Sequence, residues 1–391
     1  MRAVLTVLAL WAAGLGAAAQ FGKISVLYQT LQTTYAAHAG AGIGLMVSIV
    51  GIVGLIFGTT AGLLVARIGP RRAILSALAL GAAVSLIQSS FPAYPLMMLT
   101  RVLEGVSHLT IVVVGPTAIA AVTSVRHQGL AMTLWSSFFG VTYAVLAYVA
   151  PALVAEYGPG GLFQLHGLWL LICFGALYAL LPSDPAHRQT QWQGTLVAQH
   201  LAIYASPFIA APAMGFVCYT VTYVAILTLL PAAVTPGWGA FIGVAMPLTS
   251  IAVSLTLGVW LLSKTPAYRL VQAGFAVAIL ASVGLWLTWG QGGTEAAFAL
   301  LMAAALGVVQ GASFASLAQI NPAAEDRARG AGAIAQLGNL GTTTGTPLLA
   351  MLLSQAGVNG LAAFLIVFSA LGIVIHSVQA RRRSPADRTT G

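Results

Sequence analysis

Fourteen of the sixteen Lys and Arg residues lie in short segments between long apolar runs or at the chain ends, and only Lys23 and Arg101 fall inside such runs. Positive charge is excluded from hydrocarbon and gathers on the cytoplasmic side of membrane spans, so this placement constrains the chain to a polytopic membrane fold. A chain that keeps nearly all its cations out of the apolar runs and leaves two within them has a use for those two. Composition agrees: 59% of the 391 residues are hydrophobic and 6% charged, with mean hydropathy +0.93, against roughly 25% charged residues in soluble domains.

A window of about 20 residues, the length that crosses a bilayer as a helix, predicts spans at 3–34, 43–66, 73–90, 96–123, 130–154 and 163–181. After a polar stretch, 182–200, it predicts six more at 201–230, 241–262, 270–289, 297–320, 331–353 and 361–378. The fold class is therefore all-α and polytopic, with about twelve transmembrane helices as two six-helix bundles. The predicted organisation is an N-terminal bundle at 1–182, a central cytoplasmic loop at 183–200, a C-terminal bundle at 201–379 and a cytoplasmic tail at 380–391. With the N-terminus inside, Arg2, Arg67, Arg71, Arg72, Arg126, Arg188, Lys264, Arg269, Arg327, Arg329, Arg381, Arg382, Arg383 and Arg388 all fall on the cytoplasmic side, while the opposite loops carry Glu156 and Glu295. Both termini are expected in the cytoplasm and the protein in the inner or plasma membrane. Arg2 followed by an apolar run ending in Ala17, Ala18 and Ala19 also has the form of a cleavable signal, but an uncleaved first span makes the two halves symmetrical, and that is the expectation taken.

The net charge of +9 needs no nucleic-acid partner, because the cations sit in short turns and form no basic face with interleaved aromatics. Cys173 and Cys218 stand in apolar runs without metal-ligand neighbours, which points to no metal, no disulfide framework and no cofactor. No nucleophile and base pair or phosphate-binding glycine loop marks an enzyme. The expected partners are a small-molecule solute and the lipid bilayer, with the monomer as the working unit.

The halves repeat. Arg101-Val-Leu-Glu104-Gly105 is answered by Gly307-Val-Val-Gln310-Gly311, and Pro116 by Pro322, each pair 206 positions apart; Gly62 to Arg67 is answered by Gly258 to Lys264. This is the signature of a duplicated transporter architecture.

Gly62-Leu-Leu-Val-Ala66-Arg67-Ile-Gly69-Pro-Arg71-Arg72, between the second and third spans, resembles the cytoplasmic signature loop of the major facilitator superfamily, and Arg101 to Gly105 is similar to that family's fourth-span motif. The resemblance implies two six-helix bundles that rock about a central site by alternating access, with spans one, four, seven and ten lining it, working as a secondary transporter, symporter or antiporter. It makes Gly62, Arg67, Gly69, Arg71 and Arg72 the gating loop. Ala66 stands where the family usually has an acid, which removes a charge expected to latch the bundles. The fifth span, with Gly140 and Pro151 well apart, lacks the compact motif of antiporters. The eleventh span carries Gly338, Gly341 and Gly345 before Pro347, small residues that allow close helix approach.

A charge at the bilayer centre costs about 2.5 to 3.5 kcal/mol on insertion scales, so Lys23, Arg101 and Glu104 are expected to face a cavity or one another. Arg101, Glu104 and His108 share one helical stripe, as do Gln20 and Lys23. The functional reading gives Lys23 and Arg101, with Gln20, the anionic group of a solute, and makes Glu104 and His108 the proton-coupling groups. The plainer alternatives are a fixed Arg101–Glu104 pair, a Lys23 that snorkels to the interface and a His108 that merely bonds a neighbouring helix. Between Arg188 and Lys264 there is no charged residue, so the second half offers neutral groups: Tyr219, Thr220, Thr222, Tyr223, Trp260, Gln310 and Asn339, with Tyr219, Tyr223, Gln310 and Asn339 the binding candidates. A small organic anion is the expected solute; an exporter of hydrophobic or cationic drugs is the competing reading.

Overall fold

The computed structural model of the chain describes residues 2–184 and 195–383, with the side chains of a few helical residues, Ala66 and Arg126 among them, left out. The expectations for most of the central loop, including Arg188, and for the end of the tail, including Arg388, lie outside the described residues. The described residues contain helices and turns and no strand.

The chain divides into two compact units, Met1–Gln191 and Trp192–Gly391. In the first, α1 (Arg2–Val26) continues after one residue into α2 (Tyr28–Thr34); α3 (Ala41–Ser48), α4 (Gly51–Phe57) and α5 (Ala61–Ile68) together make the second span. Then come α6 (Pro70–Gln88), α7 (Tyr94–Val122), α8 (Val125–Ser136) and α9 (Phe138–Leu180). The second unit holds α10 (Leu196–Ala205), α11 (Ala211–Ala233), α12 (Gly239–Val253), α13 (Val259–Leu262), α14 (Ala267–Leu287), α15 (Gly293–Ile320) and α16 (Ala324–Arg382).

Two of these helices are too long to be one span each. At 1.5 Å per residue, α9 and α16 would be about 65 and 90 Å long if straight, two to three times the roughly 30 Å of hydrocarbon. Each breaks at a glycine: Gly158 (φ 70°) just before Pro159, and Gly357 (φ 55°). Glycine enters the left-handed region without steric penalty, which lets the chain reverse there in a single residue. Counted this way, each unit contributes six spans. Among the described residues nine helices are long and apolar enough to cross a membrane; the two breaks and the segmented second span account for the rest.

Two spans differ from the continuous runs expected. The second is interrupted at Ile49–Val50 and again at Gly58–Thr60, where closely spaced glycines lower helix propensity. The run expected as one span at 201–230 is two helices, α10 and α11, parted by a turn around Ser206, whose hydroxyl accepts the Phe208 and Ile209 amides. A π-helical turn, Ser254–Gly258, joins α12 to α13.

Within the first unit α1 packs on α7 and α9, and α6 packs on both as well. Leu10, Ala13, Ala17, Leu78, Ile111 and Leu170 form part of the shared core. In the second unit α16 packs most extensively on α11, and α14 lies against α15 and α16. The outward faces are apolar too: Tyr148, Ile172, Leu280 and Val367 are exposed, as a lipid-facing surface requires.

Candidate functional site

The fourth-span helix α7 brings Arg101 and Glu104 to the middle of the first unit, and α1 brings Lys23. All three side chains are fully buried. Glu104 is the shared partner: its Oε1 lies 2.5 Å from Lys23 Nζ, and its Oε2 takes Arg101 Nη1. Gln88 Nε2 of α6 adds a third donor to Oε2 at 3.0 Å and also reaches Thr100 Oγ1 at 3.1 Å. A buried carboxylate with two cations and an amide has its acceptor sites satisfied, which is the condition for keeping such charges in an apolar interior.

Arg101 spends its remaining bonds on the second span. Its Nε donates to the Met46 carbonyl at 2.8 Å and Nη2 to that of Val47 at 3.0 Å, two carbonyls at the end of α3. Lys23 instead bonds only side chains. Its ammonium donates to Ser85 Oγ of α6 at 2.9 Å, to Glu104, and to His166 Nδ1 of α9 at 3.2 Å, under the face of the Phe163 ring at 4.9 Å. Its three protons therefore have three acceptors on three helices. The snorkelling alternative for Lys23 is not the arrangement found, since its ammonium is enclosed.

The other first-half candidates frame this network. Gln20 Nε2 donates to Ser107 Oγ at 3.0 Å, while its Oε1 is buried without a partner. His108 Nδ1 bonds the Ala17 carbonyl at 3.0 Å, and its ring meets Phe21 edge-on at 5.0 Å. Its imidazole thereby ties α7 to α1. Ser85, Gln88 and His166 touch the charged groups and were not among the expected residues. His166, a lone titratable side chain in an apolar run, and Ser85 with Gln88 on one face of the third span were the available signals.

At the signature loop, Gly69 (φ 98°) precedes Pro70 at the first turn of α6. Glycine has no side chain to cap that helix, and Asp184 supplies the acceptors: its Oδ1 takes the Arg71 amide at 2.8 Å and Oδ2 that of Arg72 at 3.0 Å. A Cβ at position 69 would run into the Asp184 carboxyl group. Arg71 Nη2 donates to the Tyr178 carbonyl at 2.8 Å with its guanidinium over the Tyr178 ring at 4.8 Å. Gly62 and Arg67 are exposed.

In the second unit Tyr219 and Tyr223 are buried and stacked, centroids 5.0 Å apart, with Phe216 stacked on Tyr219 at 5.1 Å. Thr220 and Thr222 bond carbonyls of their own helix. Gln310 and Asn339 are half-buried, Asn339 Nδ2 donating to Ala335 O at 2.7 Å, and Trp260 is exposed. Gly338, Gly341 and Gly345 bring α16 onto α11: added Cβ atoms would meet Phe216, the Val217 carbonyl and the Val221 backbone. Their use is close packing.

The sequence matches the family model described as Major Facilitator Superfamily over residues 6–320. The inner membrane transport protein YajR of Escherichia coli strain K12 is 23% identical over 189 residues, 48% of this chain and 41% of that protein, so the match spans less than half of that relative's length. Two solved structures share the fold: the fucose:proton symporter FucP of E. coli, with TM-score 0.69 and 14% identity over 97% of this chain and 99% of that one, and a D-xylose-proton symporter, with TM-score 0.77 and 16% identity over 97% of both.

Proposed function

Because the chain belongs to the major facilitator superfamily, we propose that it is a secondary transporter that moves a small organic anion together with a proton. The carrying observation is the charge of the buried network. Lys23 and Arg101 share the single carboxylate of Glu104, so the cluster holds one positive charge in excess. A proton added to Glu104 would raise that excess to two in a dry site, where unpaired charge is expensive. A bound anion brings the excess back to one. Proton and anion thus each favour the other's entry, which is what coupled transport needs.

In this reading Glu104 carries the proton, and its protonation frees Lys23 Nζ and Arg101 Nη1 for the solute's anionic group, Lys23 as a point charge and Arg101 through a planar fork. Gln20, with one buried oxygen unpartnered, completes the first-half wall. Tyr219, Tyr223, Gln310 and Asn339 are the second-half contributors, and His108 holds the first and fourth spans together. The names of FucP and the D-xylose-proton symporter put proton-coupled sugar transport on this fold, which supports a proton as the coupling ion. The basic residues bordering one set of span ends favour cytoplasmic termini and a site in the cell's inner or plasma membrane, and each chain carries a full set of spans for work as a monomer.

Thermal-shift measurements on the purified full-length protein test this, using small organic acids, neutral sugars and lipophilic cations, with Lys23→Ala alongside. Stabilisation by an acid that Lys23→Ala abolishes is the expected result. Stabilisation by a neutral sugar alone removes the anion from the reading and keeps the transporter. Stabilisation by lipophilic cations alone removes the anion reading in favour of the competing one, a carrier of hydrophobic or cationic drugs.

A further inference from the structure

Lys23 is held by more than its counter-ion. His166 sits between α1, α6 and Lys23, with Nε2 2.9 Å from the Gly16 carbonyl and Nδ1 2.9 Å from Ser85 Oγ and 3.2 Å from Lys23 Nζ. A carbonyl only accepts, so Nε2 carries the hydrogen and Nδ1 presents its lone pair. Ser85 has one hydrogen and a second acceptor for it, the Phe163 carbonyl at 2.8 Å, which leaves the Nδ1 lone pair to Lys23. The close approach that allows this depends on Gly16, where a Cβ would press on Leu170 and come within 3.2 Å of Trp169 Cδ1.

We infer that His166 is a positioning residue for Lys23, holding the ammonium in the site as the neutral Nε2–H tautomer while Glu104 changes its charge. This rests on the reading of Lys23 as the solute's anchor. Of the three acceptors around Nζ, Glu104 weakens when protonated, and only Ser85 and His166 then keep Lys23 from withdrawing. A proton would leave His166 Nδ1 no lone pair at all, whereas a protonated Glu104 gains an O–H but keeps an oxygen that accepts. Charged at both nitrogens it would set an N–H against the Lys23 ammonium and expel it. The groups facing it are Lys23 from α1 and Ser85 from α6, with Glu104 and Arg101 of α7 acting through space. The proton that loads the site therefore belongs on Glu104, and His166 serves by staying neutral.

The test needs no solute. Lys23 and Lys264 are the two lysines of the sequence, and Lys264 is exposed, so reductive methylation of the full-length protein read by mass spectrometry has an internal reference. The Lys23:Lys264 labelling ratio is expected to stay low in the wild type and in His166→Gln, whose amide can accept from Lys23 and donate to Gly16. In His166→Ala the ratio is expected to rise several-fold. The thermal midpoint should fall in His166→Ala but change little when the same substitution is made beside Lys23→Met. An unchanged labelling ratio in His166→Ala overturns the inference. So does an equal loss of stability with and without the lysine, because a histidine that only packs costs the same in both. Should His166→Ala fail to fold, recovery of folded protein on adding Lys23→Met is the expected coupling, and no recovery overturns it. Because no solute is present, these outcomes stand apart from the acid-binding experiment, where failure would strike the anion reading alone.

Discussion

Arg101 Nε donates to the main-chain carbonyl of Met46 across 2.8 Å, and the neighbouring Nη2 reaches Val47. The fourth-span guanidinium thus closes the end of α3, where the second span is interrupted at Ile49–Val50, while its other edge bonds Glu104. Arg101→Lys keeps the charge but loses the fork that serves two adjacent carbonyls. Leaving buried carbonyls unsatisfied costs about 1 to 3 kcal/mol. The expected result is a lower thermal midpoint and faster hydrogen exchange of the amides at 49–51; unchanged exchange there would separate Arg101 from the break.

Glu104→Gln is expected to be more damaging than its modest change of shape suggests. It leaves Lys23 and Arg101 buried without a counter-ion, and removing one partner of a buried pair costs about 3 to 5 kcal/mol. Lys23→Met added to Glu104→Gln restores the original excess of one positive charge, so the double variant should melt above Glu104→Gln alone. Additive losses would show that Lys23 and Glu104 do not share their charge as their 2.5 Å separation implies.

Asp184 accepts the Arg71 and Arg72 amides, which an N-cap side chain would ordinarily take and Gly69 cannot. Asp184→Ala is expected to cost about 1 kcal/mol, as loss of a capping side chain does, and Asp184→Asn less, since one oxygen remains. The comparison of their thermal midpoints decides it. An Asp184→Ala variant as stable as the wild type would remove the cap from the account of α6.

The apolar runs and the exclusion of charge from them made the twelve spans legible, because the bilayer imposes length and polarity on each helix separately. The same logic marked Lys23, Arg101 and Glu104 as groups that must find partners. It did not say which partners. Pairing across helices depends on rotation and depth, and the i, i+3 spacing in α7 made Arg101 the evident mate of Glu104 while Lys23 was equally bound to it from α1. Ser85, Gln88 and His166 stood out less because a neutral side chain costs far less in hydrocarbon than a charge, so the Ser85 and Gln88 pair and the lone His166 gave a weaker signal than the three charges. The second span read as continuous since its glycines alter propensity without altering hydropathy. Repeat register was blurred too: the tenth-span glycine that meets an eighth-span carbonyl is Gly307 against Ser250, whereas Gly311 meets the Ser254 side chain. In the first unit the corresponding contact is Gly105 against the Val50 carbonyl, so contacts favour Gly307 as its counterpart, one turn from the alignment that set Gln310 beside Glu104.

The glycines of the eleventh span give a direct comparison of packing with propensity. At Gly345 an added Cβ would lie against the Val221 carbonyl and within 3.0 Å of its Cα. Those atoms belong to helix backbone, which yields only by separating α16 from α11, so Gly345→Ala is expected to destabilise by about 1 to 3 kcal/mol, as overpacking does. Gly175, in the second half of α9, has nothing within 4 Å of the same added atom and an ordinary helical backbone. Alanine there removes only the flexibility of glycine, and Gly175→Ala should leave stability unchanged or raise it by about 0.5 to 1 kcal/mol. Thermal midpoints of the two single variants in the same detergent test both statements. If Gly345→Ala proves as harmless as Gly175→Ala, the helices do not approach this closely, and the eleventh-span glycines must be explained by bending rather than by contact.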